Sequence, residues 1–195
     1  MTEPSESSAP PSPKRKPSVW RDLLETAVLV IVIFLGVRFA LQNFRVEGLS
    51  MTPNLHDGEY ILVNKVDYLL HSPQRGDIVV FHAVPALQPD KDFIKRIIGL
   101  PGDLVAVHND AVYVNGHRLN EGYIGPFYRP TYIFGPRKVP PGDYFVLGDN
   151  RNDSYDSSKW TSTPWLARKY IIGKAWVAYW PPSDLTLFHT PSYSP

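Results

Sequence analysis

The chain has 195 residues, 43% of them hydrophobic, and a formal net charge of +1. That is enough for one ordinary domain with a sizeable core and extensions, and too balanced in charge to indicate a nucleic-acid partner. There are no cysteines, which excludes disulfides, thiolate metal sites and a cysteine nucleophile.

Residues 1–19 are rich in Pro and Ser and poor in apolar side chains. Such a segment cannot bury enough surface to offset its ordering entropy, so a disordered tail is expected. It ends in the basic cluster Lys14, Arg15 and Lys16, with Arg21 close behind. The run TAVLVIVIFLGV at 26–37 has no charge. Extended over 23–41 it reaches the ~20 residues that cross a bilayer, and Arg38 near its end can snorkel to the headgroups. Residues 20–42 therefore read as a transmembrane anchor. A buried core helix is the rival reading, but the run is apolar on every side. A cleaved leader is another, but the following FALQNF offers no A-x-A-like site. With the basic cluster ahead of the anchor, the N-terminus is expected in the cytoplasm and everything after residue 42 outside.

From 43 to 182 the pattern changes to short β-branched and aromatic runs: 58–65, 76–82, 92–99, 103–116, 143–149 and 171–180, each reading as strand. Within 103–116, Asn109-Asp110 between two valine pairs is a hairpin signal. No soluble helix beyond two turns and no internal repeat is evident. The expectation is a mainly β domain of folded antiparallel sheets, barrel-like, over 43–182, followed by a loosely ordered tail at 183–195.

No G-x-S-x-G, H-E-x-x-H or P-loop is present. His56, His71, His82, His108, His117 and His189 are scattered, without ligand-like spacing to a carboxylate. Three segments stand out. In V-E-G-L-S-M-T-P-N-L (46–55), Gly48 permits a close backbone approach and Pro53 stiffens the turn that Ser50 begins. Ser50 either caps a short helical turn or is a nucleophile held at the membrane surface, where embedded substrates would meet it. In D-F-I-K-R-I-I-G-L-P-G-D (92–103), Lys95 sits inside an apolar strand with Arg96 on the opposite face. A lysine there either reaches solvent or is buried. Burial lowers its pKa from about 10.4 and makes it a usable base. The dense polar run after 147, through Asp149, Arg151, Ser154 and Asp156, is either a solvated loop or an ordered charge network.

Taken together these segments resemble the type I signal peptidases, the bacterial leader peptidase family with a Ser/Lys dyad. The resemblance spans 20 to about 181. It rests on four boxes in family order: G-x-S-M-x-P (48–53), R-G-D-I-V-V-F (75–81), I-K-R-I-I-G-L-P-G-D (94–103) and G-D-N-R-x-x-S-x-D-S (148–157). It implies a membrane-bound serine endopeptidase that removes signal peptides from exported preproteins through an acyl-enzyme. Ser50 is implied as nucleophile, Lys95 as general base, and the Ser50 N–H as an oxyanion donor. The resemblance further implies that Ser154 orients the lysine and Asp156 supports that loop, with Asp149 and Arg151 as structural charges and Arg96 as a partner. Phe44, Val46, Met51, Leu55, Phe93 and Ile94 would line two shallow pockets for small residues, as at an A-x-A-like site, with Asp92 at the rim. No metal or cofactor is implied. The partners implied are signal peptides and the lipid bilayer, with the secretion translocon as a functional associate.

The chain departs from the family pattern at three positions: Asn54 for threonine, Ser158 for a basic residue facing Asp156 (a place Lys159 would then fill), and Thr161 for glycine. The residues also admit a non-catalytic anchored β binding module, a processing peptidase dedicated to one substrate, or a self-cleaving Ser/Lys protease. The last would carry a DNA-binding helical domain where this chain has its anchor.

Overall fold

The computed structural model describes residues 19–83, 91–191 and 193. The tail expected at 1–18 lies outside the described residues. Two compact units emerge, one ending at Val37 and one running from Arg38 to Pro195.

The helix α1 (Val19–Ala40), which lies in the first unit up to Val37, has 22 residues, none of them buried. At 1.5 Å per residue it is about 33 Å long, enough to cross the hydrocarbon layer. It begins at Val19, one residue earlier than the sequence pattern suggests. It also ends two residues earlier, because Leu41 and Gln42 already belong to β1 (Leu41–Arg45) and pair with Asn64 and Val63.

The second unit is built on β2 (Tyr60–Asn64), the one-turn α2 (Asp67–Leu70), β3 (Ile78–His82), β4 (Asp92–Gly99), β5 (Leu104–His108), β6 (Ala111–Val114), β7 (His117–Arg118), β8 (Phe134–Lys138), β9 (Asp143–Leu147), β10 (Leu166–Ala167), β11 (Ile171–Trp180) and β12 (Thr186–Leu187). All pairings are antiparallel. One sheet runs β1-β2-β11-β3-β4-β9-β10 with β12 added to β11; the other runs β7-β6-β5-β8. Among the described residues neither sheet closes on itself, so the architecture is folded sheets rather than a complete barrel.

Strands buried on both faces explain the uninterrupted apolar runs. On β3, Val79 and Phe81 enter one core with Tyr68, Ile97, Val146 and Trp160, while Ile78 and Val80 enter another with Val46, Met51, Leu55 and Ile61. On β9, Tyr144 and Val146 join the first core. Phe145 and Leu147 turn into a third, with Ile98 and the valines of β5 and β6. The predicted hairpin forms at Asn109 and Asp110, both left-handed (φ 49° and 56°) as a two-residue turn of this kind requires.

The described residues after Pro182 do not form a loose tail. β12 pairs with β11 through Leu187 and Val177. Thr190 Oγ1 donates to Asp77 Oδ1 at 2.7 Å, and Tyr193 OH donates to Tyr123 OH at 3.1 Å.

Candidate active site

The turn after β1 is anchored from below. Met51 and Leu55, one helical turn apart, are fully buried. The turn closes through the N–H groups of Asn54 and Leu55, both bonded to the Met51 carbonyl at 3.0 Å. This leaves Ser50 half-buried at the surface. Gly48, at φ +86°, makes the reversal that an L side chain would resist, and its N–H donates to Asp57 Oδ1 at 2.7 Å.

Two contacts fix the Ser50 peptide. The Leu49 carbonyl accepts from Thr52 N (3.2 Å) and from Asn150 Nδ2 (3.3 Å). Because the Leu49–Ser50 peptide is planar and trans, its N–H points away from that carbonyl. The Ser50 carbonyl in turn accepts from Asn150 N at 3.0 Å.

β4 brings the amine. Lys95 Nζ lies 2.8 Å from Ser50 Oγ and 2.9 Å from the Ile94 carbonyl, although 45 residues separate it from the serine. Lys95 is only 3% exposed. Burial holds its pKa down at about 8, while the carboxylates of Asp156 and Asp149 pull it back up.

Arg96 points away from Lys95, as strand alternation requires. It grips Asp149 with Nε at 2.8 Å and Nη2 at 2.6 Å and donates from Nη1 to the Gly76 carbonyl. Both partners are buried. Burial opposes the Arg96 charge, but Asp149 outweighs it and raises the guanidinium pKa further. Asn54 Nδ2 donates to Asp149 Oδ2 at 2.8 Å and to the Tyr123 carbonyl at 3.0 Å. Arg151, fully buried, pairs with Glu121 through two 2.7 Å bonds. Glu121 and Tyr123 are site residues that the sequence did not disclose, and Asn54 and Asn150, although within the quoted segments, carry no role by sequence. An isolated buried arginine calls for a carboxylate, but nothing local points to one 30 residues upstream.

Two expected contacts are absent. Ser154 Oγ does not bond Lys95 and finds no partner among the described residues. The lysine's donors go to Ser50 and the Ile94 carbonyl, while Ser154 packs against the bare Cα of Gly148, where an added Cβ would lie 2.3 Å from Ser154 Oγ. Nor does Lys159 pair with Asp156; it donates to the Asn152 carbonyl. Asp156 is fully buried and accepts from Gly148 N (2.9 Å), Ser158 N (3.1 Å) and Ser158 Oγ (2.7 Å). A hydroxyl thus occupies the place of the expected cation.

Beside Ser50 and Lys95 opens a cleft of about 550 Å³. Phe44, Val46, Asp92, Phe93 and Ile94 line it, together with Ile61, Val80 and Tyr155. Met51 and Leu55 do not line it, because they are spent anchoring the turn in the core. Residues 92–95 of β4 pair with β3 on one side only, since the β9 pairing begins at Arg96. Among the described residues no strand pairs with the other edge of that half-strand.

A family model described as "Signal peptidase, peptidase S26" matches residues 20–180. The chain is 43% identical to a probable signal peptidase I-2 of Synechocystis sp. over 168 residues, which cover 84% of this chain and 75% of that protein. It is 39% identical to a signal peptidase I of Leptolyngbya laminosa over 99% of this chain and 100% of that one. A signal peptidase I of Bacillus caldolyticus is also 39% identical, over 79% and 87% of the two chains.

Proposed function

The chain belongs to the signal peptidase family, peptidase S26, and we propose that within it Ser50 and Lys95 form the catalytic dyad. The protein is a membrane-anchored serine endopeptidase that cleaves signal peptides from preproteins. The observation that carries the dyad is the 2.8 Å contact between Ser50 Oγ and an amine that is 3% exposed.

The preprotein's cleavage region adds as an extended strand along the edge of 92–95 that no described strand pairs, as peptides do on open sheet edges. The cleft beside Phe44, Val46 and Ile94 takes small side chains by excluding larger ones, which accounts for an A-x-A-like preference. Uncharged Lys95 accepts the Ser50 proton and Ser50 Oγ bonds to the scissile carbonyl carbon. The oxyanion receives the Ser50 N–H, which no described residue engages. Lys95 returns the proton to the departing amine, leaving an acyl-enzyme. It then takes a proton from water as the water oxygen bonds to the acyl carbon, and returns that proton to Ser50 Oγ as the ester bond breaks, restoring hydroxyl and free amine. Asp149, Arg96, Asp156 and Arg151 are the framework that keeps the amine and the turn together, with Ser154 packed against Gly148 beneath them.

The basic residues before α1 put the N-terminus in the cytoplasm and the β unit outside, beside the translocon that delivers preproteins. Trp176 and Trp180, half exposed on β11, are suited to the lipid interface, whereas Trp160 is in the core.

The test is to incubate the detergent-solubilised chain with a labelled preprotein and map the cut. Cleavage after a small residue, lost in both Ser50→Ala and Lys95→Met, is expected. Undiminished turnover by Lys95→Met would end the dyad reading.

A further inference from the structure

We propose that Asn54 is a positioning residue for the reaction: its side-chain amide locks the far end of the Ser50 turn onto Asp149 and onto the Tyr123 backbone, and so sets the angle at which Ser50 meets the substrate. This rests on Ser50 being the nucleophile.

An amide group has two N–H donors, and both are used, at 2.8 Å to Asp149 Oδ2 and 3.0 Å to the Tyr123 carbonyl. A hydroxyl at this position would supply one donor, and a carboxylate none. Asp149 does not move, because Arg96 holds both its oxygens. Its neighbours in sequence are the two residues that touch the nucleophile's carbonyl. Asn150 N donates to the Ser50 carbonyl at 3.0 Å, and the Cα of Gly148 lies so close that a Cβ there would come within 2.4 Å of the same oxygen.

A ring of bonds therefore closes. It runs from Ser50 along the turn to Asn54, through the amide to Asp149, across one peptide to Asn150, and back by a hydrogen bond to Ser50. The ring constrains the tilt of the turn, while Met51 and Leu55 constrain its depth. Removing the amide leaves the burial of Met51 and Leu55 intact, so the fold persists and the nucleophile is freer to swing. Misplacement of this order costs the chemical step rather than binding, up to about a hundredfold for 1 Å.

Asn54→Ala, Asn54→Thr and Asn54→Asp, made in the full chain in detergent, would be compared with Ser50→Ala on a fluorogenic peptide carrying an A-x-A site. Unfolding temperatures would be measured alongside. The alanine variant is expected to lose about ten- to a hundredfold in kcat with KM within about twofold. The threonine variant, keeping one donor, falls between alanine and the parent. The aspartate variant, facing Asp149 with like charge, is the slowest. Should the alanine variant not fold, the threonine variant carries the comparison at a temperature where it is fully folded. Parental kcat in a folded Asn54→Ala or Asn54→Thr, with Ser50→Ala inactive, overturns the proposal alone. So does a loss that merely follows the unfolding temperature across the three. Activity surviving in Ser50→Ala overturns the dyad, and the proposal with it.

Discussion

A lysine amine with a pKa near 8 has consequences for both rate and stability. On the proposed dyad the active species is the free amine, so cleavage of a peptide substrate should rise with pH and level off above about 8. The folded pKa lies below the unfolded value of about 10.4. The folded state thus binds fewer protons than the unfolded chain between those values, and this group's contribution to stability improves as pH climbs from about 8 to about 10.4. Below pH 8 the protein carries the full penalty. Lys95→Met should therefore be inactive yet melt several degrees higher at neutral pH, which calorimetry on the two proteins would read directly.

The carboxylate that pulls hardest against this depression is Asp156, which among the described residues pairs with no cation and accepts from N–H donors and the Ser158 hydroxyl. Placing a positive charge there cancels part of its field at Lys95 and favours the neutral amine. Ser158→Arg should move the midpoint of the pH–rate profile to lower pH. A profile unchanged or shifted upward would show that Asp156 does not act on the lysine. Gly148 is a sterner case. A methyl there meets the Ser50 carbonyl at 2.4 Å and Ser154 Oγ at 2.3 Å. Gly148→Ala should cost about 1–3 kcal/mol of stability from overpacking and, by displacing the nucleophile, about a hundredfold or more in kcat.

Elements buried on both faces were the legible ones. β3, β4 and β9 are runs of valine, isoleucine and aromatics because both of their surfaces face cores, whereas β11 buries Ile171, Ala175 and Ala178 and leaves Trp176, Tyr179 and Trp180 exposed. Their residues announce strand whatever the partner. β1, with Gln42, Asn43 and Arg45, is mostly exposed, and its apolar start merges with the preceding helix. β8 contains Gly135-Pro136, which reads as a turn. β12 has two residues and owes its existence to the edge of β11. The site divides in the same way. Ser50 and Lys95 stood out through their own segments and the family boxes. Glu121, Tyr123 and Asn54 act through partners chosen by tertiary folding, and a charged or amide residue in a polar stretch carries no mark of its future neighbour.

The C-terminal strap shows what that missing information is worth. Thr190 donates to buried Asp77, which also receives Lys174 Nζ at 2.8 Å and Tyr68 OH at 2.9 Å. Tyr193 reaches Tyr123, whose ring lies 4.2 Å from the Arg96 guanidinium. Ending the chain after residue 185 should lower the unfolding temperature by several degrees and reduce kcat through the Arg96–Asp149 support. Unaltered melting would show that the strap is ornamental.

For the molecule as a whole, the decisive question is how an enzyme with an open cleft finds a segment delivered from a bilayer. α1 offers lipid an uncharged stretch at 26–37, bounded by Glu25, which pairs with Arg21, and by Arg38. The β unit has its own apolar surface where β11 and β12 pair, with Trp176, Trp180 and Leu187 half exposed. Tryptophans at a sheet surface favour the headgroup region, where the ring is desolvated while the indole N–H stays wet. If this surface rests on lipid, it contributes to capture of membrane-borne substrate and nothing to the chemistry. A Trp176→Ser/Trp180→Ser double variant should then cleave a soluble peptide in detergent at the parental rate, while its processing of a preprotein in reconstituted vesicles falls several-fold. The parent's tryptophan emission should shift to the blue on reconstitution, and the double variant's much less. Equal losses in detergent and in vesicles would place the two side chains in the folding of β11 instead.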